Sequence, residues 1–221
     1  MNLLFDLDDT LYPEKQYIFQ GFWAVAQFLQ SKYEINGIEL YLEFVSIFKE
    51  GSNKIFDDFL YRENIAENSF KLVNVYRNAK RKLSLYPDVL STLKSLRNFG
   101  NKLVLVTNGR SETQKEKIKI LKIEDYFDDI FILDDFGKEH WKPSVLIFNK
   151  IYNEYKGNLT DYLFIGNGQE DLEFSKNAKI KFIFVDRKDS IKKADIRNEQ
   201  GVCVVKNLKE VIKLIEEERV K

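Results

Sequence analysis

Two rhythms of apolar and polar positions divide the chain. Residues 2–7 form a short apolar run, too brief for a helix, that ends in acidic and turn residues. It predicts a buried strand whose carboxyl end delivers Asp6 and Asp8. Over residues 13–85 apolar positions recur at helical spacing, first Phe19, Trp23, Ala26 and Leu29, then Leu40, Phe44, Ile47 and Phe48. Neither proline nor a β-branched run interrupts them. The pattern predicts an all-helical block of about four helices, broken near Asn36-Gly37, Gly51-Ser52 and Glu67-Asn68-Ser69.

After Tyr86-Pro87 the rhythm alternates. Helices are predicted over 87–99, 111–121, 144–155, 172–178 and 208–218, the first with Pro87 in its opening turn. Between them, strands are predicted over 102–107, 130–133, 162–165, 181–185 and 202–205. Apolar strands alternating with amphipathic helices imply a parallel sheet covered on both faces. The first strand belongs to that sheet by character, so the helical block is an insertion. The expected architecture is α/β, a Rossmann-like core of residues 1–12 and 86–221 carrying an inserted helical domain over 13–85.

Composition narrows the options. The 221 residues include 18 Phe and 11 Tyr, ample for a packed interior, so disorder is excluded. Lys+Arg and Asp+Glu are each 35, a net charge of zero. That balance gives no electrostatic reason to expect nucleic acid or an anionic membrane as partner. Any anion must be held by a local site. One cysteine, Cys203, allows no intramolecular disulfide and no cysteine cage, and Gly-Val-Cys-Val-Val reads as a buried strand. With no secretory signal and no apolar stretch of spanning length, a reduced, cytoplasmic protein is expected.

Ligands of open parallel sheets bind outside the carboxyl ends of the strands. Those ends carry Asp6-Leu7-Asp8-Asp9-Thr10, Thr107-Asn108-Gly109, the segment before Lys142-Pro143, and Gly166-Asn167-Gly168-Gln169-Glu170-Asp171. Phosphoryl transfer needs a nucleophile, a proton donor and positive or N–H-rich surroundings. Asp6 can attack phosphorus, and Asp8 can protonate the leaving oxygen and then deprotonate water. Anions attacking an anion require a cation, and Mg²⁺ on a few carboxylates answers that need, with Asp171 as a second anchor. Lys142 can neutralise one oxygen, and Thr107 with the amides of Asn108 and Gly109 can cradle another. Taken singly, each has a plainer reading: a helix cap for the acids, a turn for Asn108-Gly109, a solvated lysine for Lys142. Their order and shared sheet edge favour chemistry.

The motifs resemble those of the haloacid dehalogenase-like hydrolase superfamily over nearly the whole chain. Asp6 to Thr10 matches its Asp-x-Asp-x-Thr in full. Val104 to Gly109, Lys142-Pro143, and Gly166 with Asn167 and Asp171 match the other three motifs. The resemblance implies a helical cap closing over the site, Asp6 as nucleophile, Asp8 as acid/base, and Mg²⁺ on Asp6, the main-chain carbonyl of Asp8 and the fourth motif. It implies a phosphate site from Asp6, Leu7, Asp8, Thr107, Asn108, Gly109 and Lys142, with Thr107 and Lys142 catalytic. The acid at Asp8 is typical of the phosphatases and absent from the dehalogenases. The expected substrate is a small phosphorylated metabolite. Asn167 departs from the pattern, which has Asp there, so Asn167 and Asp171 must share the metal with one charge fewer.

Two rivals remain at this point. Gly166-x-Gly168-x-x-Asp171, with Asp186 ending the next strand, has the layout of a dinucleotide fingerprint, though with an acid at its third position. Alternatively, Asn167 marks a non-catalytic phosphate-binding or interaction module on the same fold. His140, beside Trp141, reads as a structural loop residue.

Overall fold

The computed structural model describes residues 1–188, 190, 196, 199 and 201–219. Two compact units emerge, one of Met1–Glu14 with Leu83–Lys221, the other of Lys15–Lys82.

In the first unit, strands β1 (Asn2–Phe5), β2 (Lys102–Thr107), β3 (Asp129–Ile132), β4 (Tyr162–Gly166), β5 (Lys181–Val185) and β6 (Cys203–Val205) pair in parallel. Their order is β3-β2-β1-β4-β5-β6, so β1 lies in the middle. Central position explains its run of Leu3, Leu4 and Phe5, all fully buried. The helices of this unit span Val89–Asn98, Ser111–Leu121, Leu146–Tyr155, Gln169–Ala178 and Leu208–Arg219. Leu4, Val104, Ile147, Phe148, Phe164, Leu172 and Phe174 belong to one core cluster. Cys203 is half-buried rather than buried, because β6 is the sheet edge.

The chain leaves and re-enters this unit at one place, where the Tyr86 N–H donates to the Leu11 carbonyl at 3.0 Å. Nearby, the Arg187 guanidinium donates to the Thr10 carbonyl (3.0 and 3.2 Å) and to Asp88 (2.9 Å). The other Asp88 oxygen accepts the Leu208 N–H at 2.6 Å. Burial pushes the Asp88 carboxyl up, but Arg187 and Leu208 outweigh it and hold it below the usual range.

The second unit holds helices Lys15–Tyr33, Gly37–Lys49, Ile55–Arg62 and Ser69–Arg77. Two of the sequence breaks become N-caps. Asn36 Oδ1 accepts the Ile38 N–H (2.9 Å) and Asn68 Oδ1 that of Phe70 (2.8 Å), satisfying amides the helix cannot. Phe22, Phe44, Phe56 and Phe59 fill its core edge to face. Tyr17 and Phe22 are buried, Phe19 is half-buried and Trp23 is exposed.

Candidate active site

Asp6 directly follows β1, and its N–H continues the ladder to the Ile165 carbonyl at 3.0 Å. The chain then turns sharply. The Leu7 carbonyl accepts the N–H groups of Thr10 (3.4 Å) and Leu11 (3.0 Å), while the Leu7 side chain is fully buried. Leu7 therefore offers a ligand only its main chain.

Three buried charges meet at Lys142. Its Nζ lies 2.7 Å from Asp6 Oδ1, 2.7 Å from Asp171 Oδ1 and 3.1 Å from the Val106 carbonyl. The solvated reading fails, since Lys142 is 4% exposed. Burial pulls its ammonium down, but Asp171 and Asp6 outweigh that and raise it. Asp6 moves up as well, to about 7, because burial of its charge exceeds the pull of Lys142, and Asp171 and Asp8 repel it further. The pair is thus unequal: Lys142 keeps its proton, while burial favours the uncharged form of Asp6.

Asp171 sits in the first turn of its helix, which starts three residues earlier than its apolar pattern predicts. Its Oδ2 accepts the N–H groups of Asn167 (3.1 Å) and Gly168 (3.0 Å). With Oδ1 on Lys142, both oxygens are engaged, so the geometry makes Asp171 an anchor for Lys142 and for the loop. The same bonds argue against the dinucleotide reading, since they occupy amides a pyrophosphate would need. Gly166 permits the approach. A Cβ there would stand 2.4 Å from Asp171 Oδ2, so no side chain fits.

The Asn108 side chain clasps the peptide of Lys142. Its Oδ1 accepts the Lys142 N–H (2.9 Å), and its Nδ2 donates to the Lys142 carbonyl (3.1 Å) and to Glu170 (2.8 Å). The sequence suggested only the main-chain amide of Asn108. Gly109 follows with φ 126°, which a side chain would strain. The Thr107 hydroxyl is buried, donating to the Asn108 carbonyl (3.2 Å) and accepting Gln114 Nε2 (2.6 Å).

Asp8 is held from one side. Lys117 Nζ lies 2.7 and 2.9 Å from its two oxygens, the Tyr12 hydroxyl donates at 2.7 Å and Gln114 Nε2 at 3.0 Å. Burial pushes the Asp8 carboxyl up, yet Lys117 and these donors outweigh it and hold it below the usual range. Sequence reasoning missed all three partners. The structure buries Gln114, Lys117, Ile118 and Leu121 on one face of residues 111–121, which the charge of that segment hides in the sequence. Polar residues at two buried positions of one helix face imply that the face meets a polar site.

Asp6 Oδ2 and Asn167 Oδ1 share the Thr10 hydroxyl, at 3.3 and 3.5 Å. Hard oxygens gathered in this way fit Mg²⁺ in kind. Among the described residues no three His, Cys, Asp or Glu side chains form a metal cage. A cation placed beside the Thr10 hydroxyl would meet the Asp6 carboxylate and the Asn167 amide oxygen. His140 lies against Phe136, ring centroids 5.9 Å apart.

The model of the family "Haloacid dehalogenase-like hydrolase" matches residues 3–185. The chain is 36% identical over 156 residues to glyceraldehyde 3-phosphate phosphatase of Methanopyrus kandleri, covering 66% of each chain. It is 35% identical over 104 residues to phosphoglycolate phosphatase of Vibrio vulnificus, covering 47% of this chain and 45% of that one. These matches span less than two thirds of either relative's length. The crystal structure of a HAD phosphatase from Thermococcus onnurineus superimposes with TM-score 0.67 at 25% identity, covering 97% of both chains. No helix among the described residues is long and apolar enough to cross a membrane.

Proposed function

This chain belongs to the haloacid dehalogenase-like hydrolase family, and we propose that it is a Mg²⁺-dependent phosphatase acting on a small phosphorylated metabolite. The observation that carries this reading is the buried Asp6 carboxylate, at a strand end, 2.7 Å from Lys142 and two residues before a second carboxylate. An Asp6 oxygen attacks phosphorus, the ester P–O bond breaks, and the leaving oxygen takes a proton from Asp8. Water then gives a proton to Asp8 and attacks the aspartyl-phosphate, releasing phosphate and restoring Asp6. Lys142 and the turn amides at Asn108 and Gly109 balance charge on the phosphoryl oxygens. Asp6, the Asp8 carbonyl and Asn167 would hold Mg²⁺, which supplies the positive charge that lets two anions approach. Asp171 serves by holding Lys142.

Phosphate release from glyceraldehyde 3-phosphate, phosphoglycolate and a panel of other esters, with Mg²⁺ and with chelator, tests the reading. Metal-dependent release of phosphate supports it. No turnover on any ester, with phosphate still bound, would favour the non-catalytic module.

The hold of Lys117 on Asp8 makes a further prediction. Ionised Asp8 is ready to accept the proton of water, whereas protonating the leaving oxygen requires it to carry a proton first. Lys117→Met removes the cation, so burial dominates and the Asp8 carboxyl rises. Because kcat/KM reports the step in which Asp8 must carry a proton, the alkaline limb of its pH profile is expected to move to higher pH. A limb that stays in place would show that Lys117 does not set the state of Asp8.

A further inference from the structure

Behind Asn167 runs a chain of side chains that the phosphoryl-transfer chemistry does not use. Asn167 Nδ2 donates to Ser190 Oγ at 3.2 Å, and Ser190 Oγ donates to Asp9 Oδ2 at 3.0 Å. Asp9 is 2% exposed, and its Oδ1 accepts the Glu14 N–H at 2.8 Å. Its backbone is left-handed, with φ 54°, which among side-chain-bearing residues Asp and Asn tolerate best.

These two bonds set the order of hydrogens along the chain. A hydroxyl has one hydrogen to give. Ser190 gives it to Asp9, so toward Asn167 it presents lone pairs alone. The Asn167 atom beside it must be the amide nitrogen. Oδ1 is then turned to the Thr10 hydroxyl, which also faces Asp6 Oδ2. An amide turned over has nearly the same shape, so packing alone does not choose between its two ends. A hydrogen-bond partner does.

We propose that Asp9, acting through Ser190, is a positioning residue that presents the oxygen of Asn167, not its nitrogen, to Asp6 and the cation. The inference rests on the metal-binding role proposed above. It also accounts for an amide at this position. An aspartate at 167 would compete with Asp9 for the single Ser190 hydrogen, and two carboxylates would face one hydroxyl. Asn167→Asp adds a charge for the metal, but only against this opposition. Exchanging the pair, Asp9→Asn with Asn167→Asp, reverses the relay: residue 9 donates to Ser190, and Ser190 donates to residue 167.

The test is a double-mutant cycle of Asp9→Asn and Asn167→Asp with Ser190→Ala beside it, read by Mg²⁺ calorimetry and by melting temperature in chelator. Ser190→Ala is expected to weaken Mg²⁺ binding about 10-fold, the size usual for loss of an outer partner. Asn167→Asp is expected to tighten Mg²⁺ at least about 10-fold more in the Asp9→Asn background than in the parent. In chelator the exchanged pair should melt above the sum of its single changes. Additive melting temperatures overturn the relay whether or not metal binds. Equal tightening in both backgrounds also overturns it while leaving the phosphatase reading in place. If no variant and no parent binds Mg²⁺, that reading falls and the relay's service to a cation falls with it.

Discussion

Asp6→Asn is expected to lose turnover by about 10⁴-fold or more, the scale of removing a nucleophile, while melting no lower than the parent in metal-free buffer at pH 8. The two effects have one origin. Asp6 is 7% exposed, and burial with repulsion from Asp171 and Asp8 raises its carboxyl from the ordinary 3.8 to about 7. A carboxyl raised in the folded state binds its proton more tightly there than in the unfolded chain. The stability it contributes is full below pH 3.8 and is lost as pH rises through about 7. Above that pH the bare anion opposes folding. Asparagine cannot ionise, so the variant escapes this loss, and Asp171 still pairs with Lys142. Melting curves in chelator from pH 5 to 8 should fall more steeply for the parent than for the variant. Borohydride trapping of the acyl phosphate should label Asp6 in the parent alone. A variant that turns over normally would remove Asp6 from the chemistry.

Lys142→Met is expected to damage stability and activity together. Lys142 is the shared counter-charge of Asp6 and Asp171 and also donates to the Val106 carbonyl. Taking it away leaves two carboxyls buried without a cation. Breaking a buried pair in this way costs about 3–5 kcal/mol, or on the order of 10 °C in melting temperature for a chain of this size. Unpaired acids hold their protons longer, so the loss should be greatest at alkaline pH and shrink toward pH 5. Circular-dichroism melts across that range check the point. A uniform loss at all pH values would mean that packing of the lysine stem, not its charge, is what the fold needs.

Strand and helix order was readable because each apolar run reports its own period, as in the Leu3-Leu4-Phe5 run of β1. What could not be read was pairing at a distance. Lys142 looks like a surface lysine in its own neighbourhood, and its burial comes from Asp6 and Asp171, 136 and 29 residues away. The apolar period starts at Leu172 and so predicts Asp171 before the helix, which in fact begins at Gln169. The first turn is instead polar, since the Asp171 carboxylate takes the loop amides. Lys117 and Gln114 lie in a stretch of eleven residues, Ser111–Leu121, whose charge suggests a solvated face. Only the position of Asp8 across from it makes those two residues part of the site. In sequence the amide at Asn167 reads only as one charge fewer for a metal, because its hydrogen bonds through Ser190 to Asp9 span distant residues.

The bond between Tyr86 and the Leu11 carbonyl has a meaning for descent. A segment whose two ends are already clasped adds little by growing longer: each doubling of a flexible loop costs only about 0.6 kcal/mol. The stretch between those residues can therefore be lengthened, shortened or exchanged over generations with little disturbance to the strands on either side. The strands on either side would keep their pairing while the insert between them changed.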